Sequence, residues 1–346
     1  MYFASDNASP VAPEVMEALA RVNTGYRASY GTDPEMDEVK RLIREVFEAP
    51  KAEVFLVATG TASNALALAT LIDPWQAIYC HRDAHIAIDE CGAPEFYTNA
   101  AKLQLIDGEH GKITVSALKA AVATQVRGDV HSVQPGVLSL TNVTEAGTVY
   151  TPEELTTLYS TAKTQGLRTH LDGARFANAV VATGATPAEL SWKAGAEILS
   201  LGGTKNGLLG VEAVVLFDPD SAWEFELRRK RGGHLFSKHR YLSAQLAAFL
   251  TDGLWLELAD QANVAAARLA DGLVSIPGVT LKHSVDANML FATMPRKLHR
   301  NAVNAGAQYY FSDIEGDDDE VLPCRLVCSW STTDADVDAF LKALRS

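Results

Sequence analysis

The sequence predicts an α/β fold in which a largely parallel sheet is covered by helices and followed by a smaller α+β domain. Three observations predict it. Between residues 50 and 217, seven short aliphatic runs alternate with helix-like stretches, the pattern of successive strand–helix–strand units. Residues 220–274 are charged at first, then rich in Ala and Leu without Pro, as long helices are. From about residue 275 the order becomes strand, strand, helix, strand, strand, helix.

The seven runs are EVFLV (53–57), AIYC (77–80), KLQLI (102–106), GVLSL (136–140), LRTHL (167–171), EILSL (197–201) and AVVLF (213–217). Helices are expected at 61–72, 115–126 and 152–165, the last opened by Thr151 as cap and Pro152 in the first turn. In the C-terminal part the strands are GVTLKH, NMLFATM, AQYYF and CRLVCSW, with helices at 295–305 and 333–345. The acidic GDDDE at 316–320 reads as a solvated hairpin loop.

Composition narrows the function classes. The 346 residues are 47% apolar, ordinary for a folded chain of about two domains. Lys and Arg number 30 against 43 Asp and Glu, a net charge of −13 that offers no broad field for nucleic acid, although RRKRGG (228–233) is a local basic patch. No apolar run reaches the roughly 18 residues a membrane span needs, and MYFASDNASP has no signal-peptide pattern. Cys80, Cys91, Cys324 and Cys328 are too scattered for a disulfide framework, so a cytoplasmic location is expected.

Three segments at strand ends carry chemistry, because ligands of open α/β sheets bind at the carboxyl ends of strands. VATGTASNALAL (57–68) turns from strand to helix through Gly60, where free N–H groups and the Thr61 and Ser63 hydroxyls can cradle a phosphate, or simply cap the helix. THLDGARFANA (169–179) puts Asp172 directly after a strand; Arg175, three residues on, could be its ion-pair partner at a helix start. LSLGGTKNGLLG (199–210) carries Lys205 on a Gly-rich turn, either solvated or held for a bulky partner. Together, a phosphate cradle, an acid and a lysine match the demands of pyridoxal 5'-phosphate. The lysine forms a Schiff base, the helix start holds the phosphate, and the carboxylate keeps the pyridine nitrogen protonated.

The segments SDNASP, YGTDP, TGTASN, AHIAIDECG, HLDGARFANA and GGTKNG, in this order and spacing, resemble the low-specificity L-threonine aldolases, aspartate-aminotransferase-like (fold type I) pyridoxal phosphate enzymes. The resemblance covers nearly the whole chain. It implies a mainly parallel seven-stranded sheet in a large domain, 31–250, a small domain, 251–346, and an N-terminal segment, 1–30, packed near the small domain and a subunit interface. It further implies a homodimer or homotetramer with active sites between subunits, and a small amino-acid substrate.

By the same resemblance Lys205 is the Schiff-base lysine, Asp172 the pyridinium partner and Arg175 a cofactor-site contact. Gly60 and Thr61 bind phosphate, His85 lies on the ring, and Glu90 is the acid that follows it. Ser5 and Arg325 hold the substrate carboxylate, and Tyr30 belongs to the interface side of the substrate site. Ser5 could equally be a plain helix cap, and Arg325 a strand-end arginine paired with a local acid. One departure is TNVTEAGT (141–148), which lacks the histidine that many members carry in this loop facing the substrate hydroxyl. Thr144 or Glu145 occupies the region, and His85 is the expected proton acceptor, directly or through a water.

The expected reaction is retro-aldol cleavage of threonine, allo-threonine or phenylserine to glycine and an aldehyde. Another β-eliminating or transaminating reaction on a small amino acid is the alternative. A metallohydrolase using His81, His85, Glu90, Cys80 and Cys91 leaves Lys205 and the phosphate turn unexplained, and a visible absorption band from bound cofactor distinguishes the enzyme from a non-catalytic binding protein.

Overall fold

The computed structural model describes residues 1–345. The chain opens with α1 (Pro13–Val22) and α2 (Pro34–Val46), then runs β1 (Glu53–Val57), α3 (Gly60–Leu71), β2 (Gln76–His81), α4 (His85–Ile88), α5 (Ala93–Tyr97) and β3 (Lys102–Ile106). It continues through α6 (Val115–Ala123), β4 (Gln134–Thr141), α7 (Pro152–Thr164), β5 (Arg168–Gly173), α8 (Phe176–Thr183), β6 (Ile198–Leu201) and β7 (Glu212–Leu216). After α9 (Ala222–Arg231), α10 (Arg240–Leu250) and α11 (Leu254–Val274) come β8 (Thr280–Leu281), β9 (Met289–Pro295), α12 (Arg296–Asn304), β10 (Tyr310–Phe311), β11 (Val321–Val327) and α13 (Asp334–Leu344).

The large sheet has seven strands in the order β1-β7-β6-β5-β4-β2-β3. Only β7 runs against its neighbours, being antiparallel to both β1 and β6. Helices cover both faces, so β6 and β7 are buried at every position and read as continuous apolar runs without alternation. α3 is buried from Ala62 to Leu71, with its few polar side chains not gathered on one face, as suits a helix enclosed by protein. Thr151 and Glu154 form a reciprocal capping box that fixes the start of α7.

The second sheet is antiparallel, in the order β10-β11-β9-β8, and packs on α13 and the second half of α11. The first half of α11, with Trp255, Leu258 and Ala259, lies in the large core instead, so this one helix contributes to both cores. The N-terminus also reaches the small core. Phe3 lies there, 5.1 Å from the Phe340 ring, with its N–H on the Gln308 carbonyl and its carbonyl accepting from Val327.

Several boundaries move from the sequence expectation. β11 starts at Val321, because residues 321–323 pair with β9 directly after the acidic loop. β8 and β10 shrink to two residues each, since so few of their groups find partners. The Ala-rich stretch after 220 is cut at Gly232–Gly233 and at Gly253, whose φ of +77° a helix cannot accommodate. Within the basic patch, Arg228 and Arg229 pair with Glu224 and Glu226 of their own helix.

Candidate active site

A cleft of about 350 Å³ opens where β1, β5 and β6 end, and its walls include Gly60, Thr61, Asn64, His85, Asp172 and Lys205. The start of α3 forms one wall. Thr59 caps it, its hydroxyl accepting from Ala62 N–H at 3.2 Å and its carbonyl from Ser63 N–H at 3.1 Å. The N–H groups of Gly60 and Thr61 stay outside the helical ladder, at the positive end of the helix dipole. A Cβ added to Gly60 meets nothing within 4 Å, so the space before these donors is open. Ser63 does not join them, contrary to expectation: its side chain is fully buried in the core, with no partner for its hydroxyl among the described residues.

Asp172 forms the floor. It lies within β5 rather than after it, paired in register with Thr141 and Ser200. Its Oδ1 accepts from Ala174 N–H at 3.0 Å, and its Oδ2 from Asn64 Nδ2 at 2.9 Å. The same Asn64 amide donates to Glu90 Oε1 at 2.9 Å, and that oxygen stands 2.8 Å from His85 Nδ1. One asparagine thus ties the floor carboxylate to the wall imidazole. Burial pushes the Glu90 carboxyl above its ordinary range, partly offset by hydrogen bonds from His85 and Asn64. The bond to Glu90 in turn raises the His85 pKa, against the opposing effect of burial.

Lys205 rises from a single 3-10 turn, Thr204–Asn206. The glycines before it are a packing requirement: a Cβ on Gly202 would lie 2.1 Å from the Ala174 carbonyl oxygen. Gly207, at φ +91°, ends the turn, and Asn206 Nδ2 anchors it to the Trp255 carbonyl at 2.8 Å. Lys205 is half-buried, and the positive charge of Arg175, followed by burial, lowers the pKa of its amine.

Arg175 does not pair with Asp172. Its Nε and Nη2 donate to Asp6 at 2.7 and 2.9 Å, and both side chains are buried. Burial alone would raise the Asp6 pKa, but the charge and hydrogen bonds of Arg175, with smaller help from Lys205 and Asn288, hold it below the ordinary value. Asp6 carried no signal in the sequence, since its partner lies in a distant segment.

Ser5 caps the short turn Asp6–Ala8, its Oγ accepting from Asn7 N–H at 3.2 Å. Arg325, on β11, sits 5.8 Å over the Tyr310 ring with Nη2 3.9 Å from Met289 Sδ. Among the described residues no carboxylate pairs with it, so the local ion pair does not form. Burial and then the Arg175 charge lower its pKa. Tyr30 stands outside the cleft, exposed, with Lys230 Nζ 4.8 Å above its ring.

The atoms of the metallohydrolase reading do not converge. Both His81 ring nitrogens meet backbone, at Gly108 O (3.0 Å) and Asp83 N (3.1 Å), and Cys80 is buried with its thiol pushed up to about 12 by desolvation.

Comparison with known proteins agrees with this geometry. A sequence model of the family described as beta-eliminating lyase matches residues 2–295. A low specificity L-threonine aldolase of Pseudomonas aeruginosa is 42% identical over 95% of this chain and 93% of its own. One from a Pseudomonas sp. is 40% identical over 99% and 97%. Among solved structures, a Leishmania major threonine aldolase superposes with a TM-score of 0.89 at 28% identity, covering 99% of this chain and 98% of that one. A cleft of this build, on this fold, in a chain so close to these relatives, belongs to the beta-eliminating lyase family, among its low-specificity L-threonine aldolases.

Proposed function

We propose that the protein cleaves L-threonine, L-allo-threonine and related β-hydroxy-α-amino acids such as phenylserine to glycine and an aldehyde, with pyridoxal 5'-phosphate as cofactor. The observation that carries this reading is one cleft holding an amine of lowered pKa, a buried carboxylate and an open helix start. These fit the cofactor's aldehyde, ring nitrogen and phosphate in turn. When bound, pyridoxal phosphate supplies the electron sink for the pair released as Cα–Cβ breaks.

The residues divide the remaining work. Gly60 and Thr61 donate N–H groups to the phosphate. Asp172, pre-oriented by Ala174 and Asn64, offers its carboxylate to the ring nitrogen. Lys205 is unprotonated more readily than a free lysine, so its amine is ready to attack a carbonyl. His85, fixed through Glu90, contacts the ring, and Arg175 keeps its Nη1 outside the Asp6 pair for the cofactor site. Arg325, with Ser5, takes the substrate carboxylate, and Tyr30 acts from the interface of a homodimer or homotetramer whose active sites lie between subunits. The free thiols of Cys80, Cys324 and Cys328 fit a reducing compartment, which we infer to be the cytoplasm. No helix among the described residues is long and apolar enough to cross a membrane.

Borohydride reduction of the cofactor-loaded protein, followed by peptide mapping, should label Lys205, and threonine should yield glycine and acetaldehyde in equal amounts. Labelling at a different lysine would overturn the site. Release of ammonia and a keto acid in place of glycine would overturn the reaction.

A further inference from the structure

We propose that Glu212 is a positioning residue that fixes the turn delivering Lys205 to the cofactor aldehyde; this rests on the reading of Lys205 given above. Glu212 is the first residue of β7 and pairs in register with Val57, the last residue of β1. Because β7 runs against both neighbours, its start lies at the edge of the sheet where β1 and β6 end and the cleft opens. Glu212 lines that cleft together with Thr204 and Lys205.

The contact with the turn is direct. Glu212 Oε2 accepts from the N–H of Gly203, two residues before Lys205, at 2.7 Å. Gly203 is the hub of the turn, because its carbonyl accepts from Asn206 N–H at 2.9 Å and from Leu208 N–H at 3.2 Å. No side chain fits there. A Cβ on Gly203 would lie 2.6 Å from the Val211 carbonyl oxygen, so the residue before Glu212 already packs on the hub. Gly202 N–H donates to the Gly173 carbonyl at 2.9 Å, and Asn206 reaches the Trp255 carbonyl. Of these anchors, only Glu212 is a titratable side chain and lines the cleft.

Glu212 is 7% exposed, and no Lys or Arg forms an ion pair with it among the described residues. Burial pushes its carboxyl above the ordinary range, and what opposes burial is the hydrogen bonding of the Lys205 turn, followed by the charge of Lys205 itself. The turn holds the carboxyl and the carboxyl holds the turn. Without Glu212, the Gly203 N–H loses its acceptor, and the amine of Lys205 spreads over positions from which the aldehyde is out of reach.

The test compares the affinity of the cofactor-free protein for two ligands. Pyridoxal 5'-phosphate has the aldehyde that Lys205 takes, whereas 4'-deoxypyridoxine 5'-phosphate keeps the ring nitrogen and the phosphate but carries a methyl group in its place. The ratio of the two Kd values isolates the lysine, since a change in fold or in charge near the phosphate acts on both ligands. In Glu212→Ala the preference for the aldehyde should fall by about tenfold or more. Glu212→Gln keeps an acceptor for Gly203 N–H and should stay within about threefold of the parent ratio. In a Lys205→Ala background, Glu212→Ala should move the ratio by less than about twofold, because the residue it acts through is gone. An unchanged ratio in Glu212→Ala, an equal loss in Glu212→Gln, or a loss that persists without Lys205 would overturn the assignment. Affinity for both ligands falling together would overturn it as well, making Glu212 a structural residue of the cleft wall. If the parent itself shows no preference for the aldehyde, Lys205 does not take it, and that reading fails and carries this assignment with it.

Discussion

Arg175 and Asp6, 169 positions apart, close on each other through two hydrogen bonds of 2.7 and 2.9 Å, with 3% and 1% of their side chains exposed. The cation that most lowers the pKa of the Lys205 amine is therefore held in place by the N-terminal segment. Asn288 Nδ2 joins the same carboxylate at 3.1 Å, so the small domain contributes to the clasp as well.

Asp6→Asn leaves Arg175 buried without a countercharge and should cost about 3 kcal/mol of stability, measured by urea unfolding. The sign of its pH dependence follows from the direction of the shift. Asp6 is held below its ordinary 3.8 in the folded state, so its contribution is full above that value and is lost as pH falls through the folded pKa. The gap between parent and variant should stay constant from neutrality down to about pH 5 and close only in stronger acid. A gap that closes between pH 8 and about 6 would contradict the pairing.

Glu90→Gln should lower the pKa of His85, because the bond to Glu90 is the largest influence raising it. Imidazole resonances followed by NMR against pH give the midpoint directly. For a group raised on folding, the stabilisation is complete below the ordinary 6.5 and is lost as pH rises through the folded value, so the variant should also lose that part of the stability profile. A midpoint that stays or rises would show that Glu90 does not control the imidazole.

Asp172→Asn should reduce turnover by at least about 100-fold, roughly 2.7 kcal/mol in the barrier, with cofactor still bound. An amide keeps the bond from Asn64 but cannot stabilise a protonated ring nitrogen as a carboxylate does. Steady-state kinetics beside the visible spectrum separate loss of chemistry from loss of cofactor. Activity within about threefold of the parent, roughly 0.65 kcal/mol, would remove Asp172 from this role.

Arg325→Lys should lower kcat/KM for threonine by about tenfold or more, equivalent to roughly 1.4 kcal/mol, with an unchanged cofactor spectrum. Lysine keeps the charge but not the fork that would hold a carboxylate in plane, nor the planar cation over Tyr310. Parent-like kinetics in both Arg325→Lys and Arg325→Ala would move the carboxylate anchor elsewhere, and a lost spectrum would make Arg325 structural.

What could be read from the sequence divides by range. EVFLV and KLQLI match β1 and β3 residue for residue, and the other five runs fall on strands within a few residues, because short aliphatic runs announce strands by local composition. Asp172 and Lys205 were legible for the same reason, each lying next to such a run. Asp6 was not, since its role exists only through a segment 169 residues away. Ser63 and Asn64 show the limit at close range. One residue is about 100° around a helix, enough to turn Ser63 into the core while Asn64 reaches Asp172 and Glu90, and the phase of α3 cannot be fixed from a segment with no distinct apolar face.

Phe3 belongs to a core otherwise assembled from residues 265–344, so no contiguous stretch of chain contains the complete small domain. During synthesis this phenylalanine leaves the ribosome well before the rest of that core and has no buried apolar partner from it until α11, β9, β11 and α13 follow. All seven strands of the large sheet are made by residue 216, and that half can organise while the small domain still lacks most of its chain. A fragment spanning 251–345 would fold around a phenylalanine-sized hole, a deficit of roughly 3–5 kcal/mol. Phe3 and residues 265–344 are thus one structural unit, and completion of the small domain waits until α13 has been made.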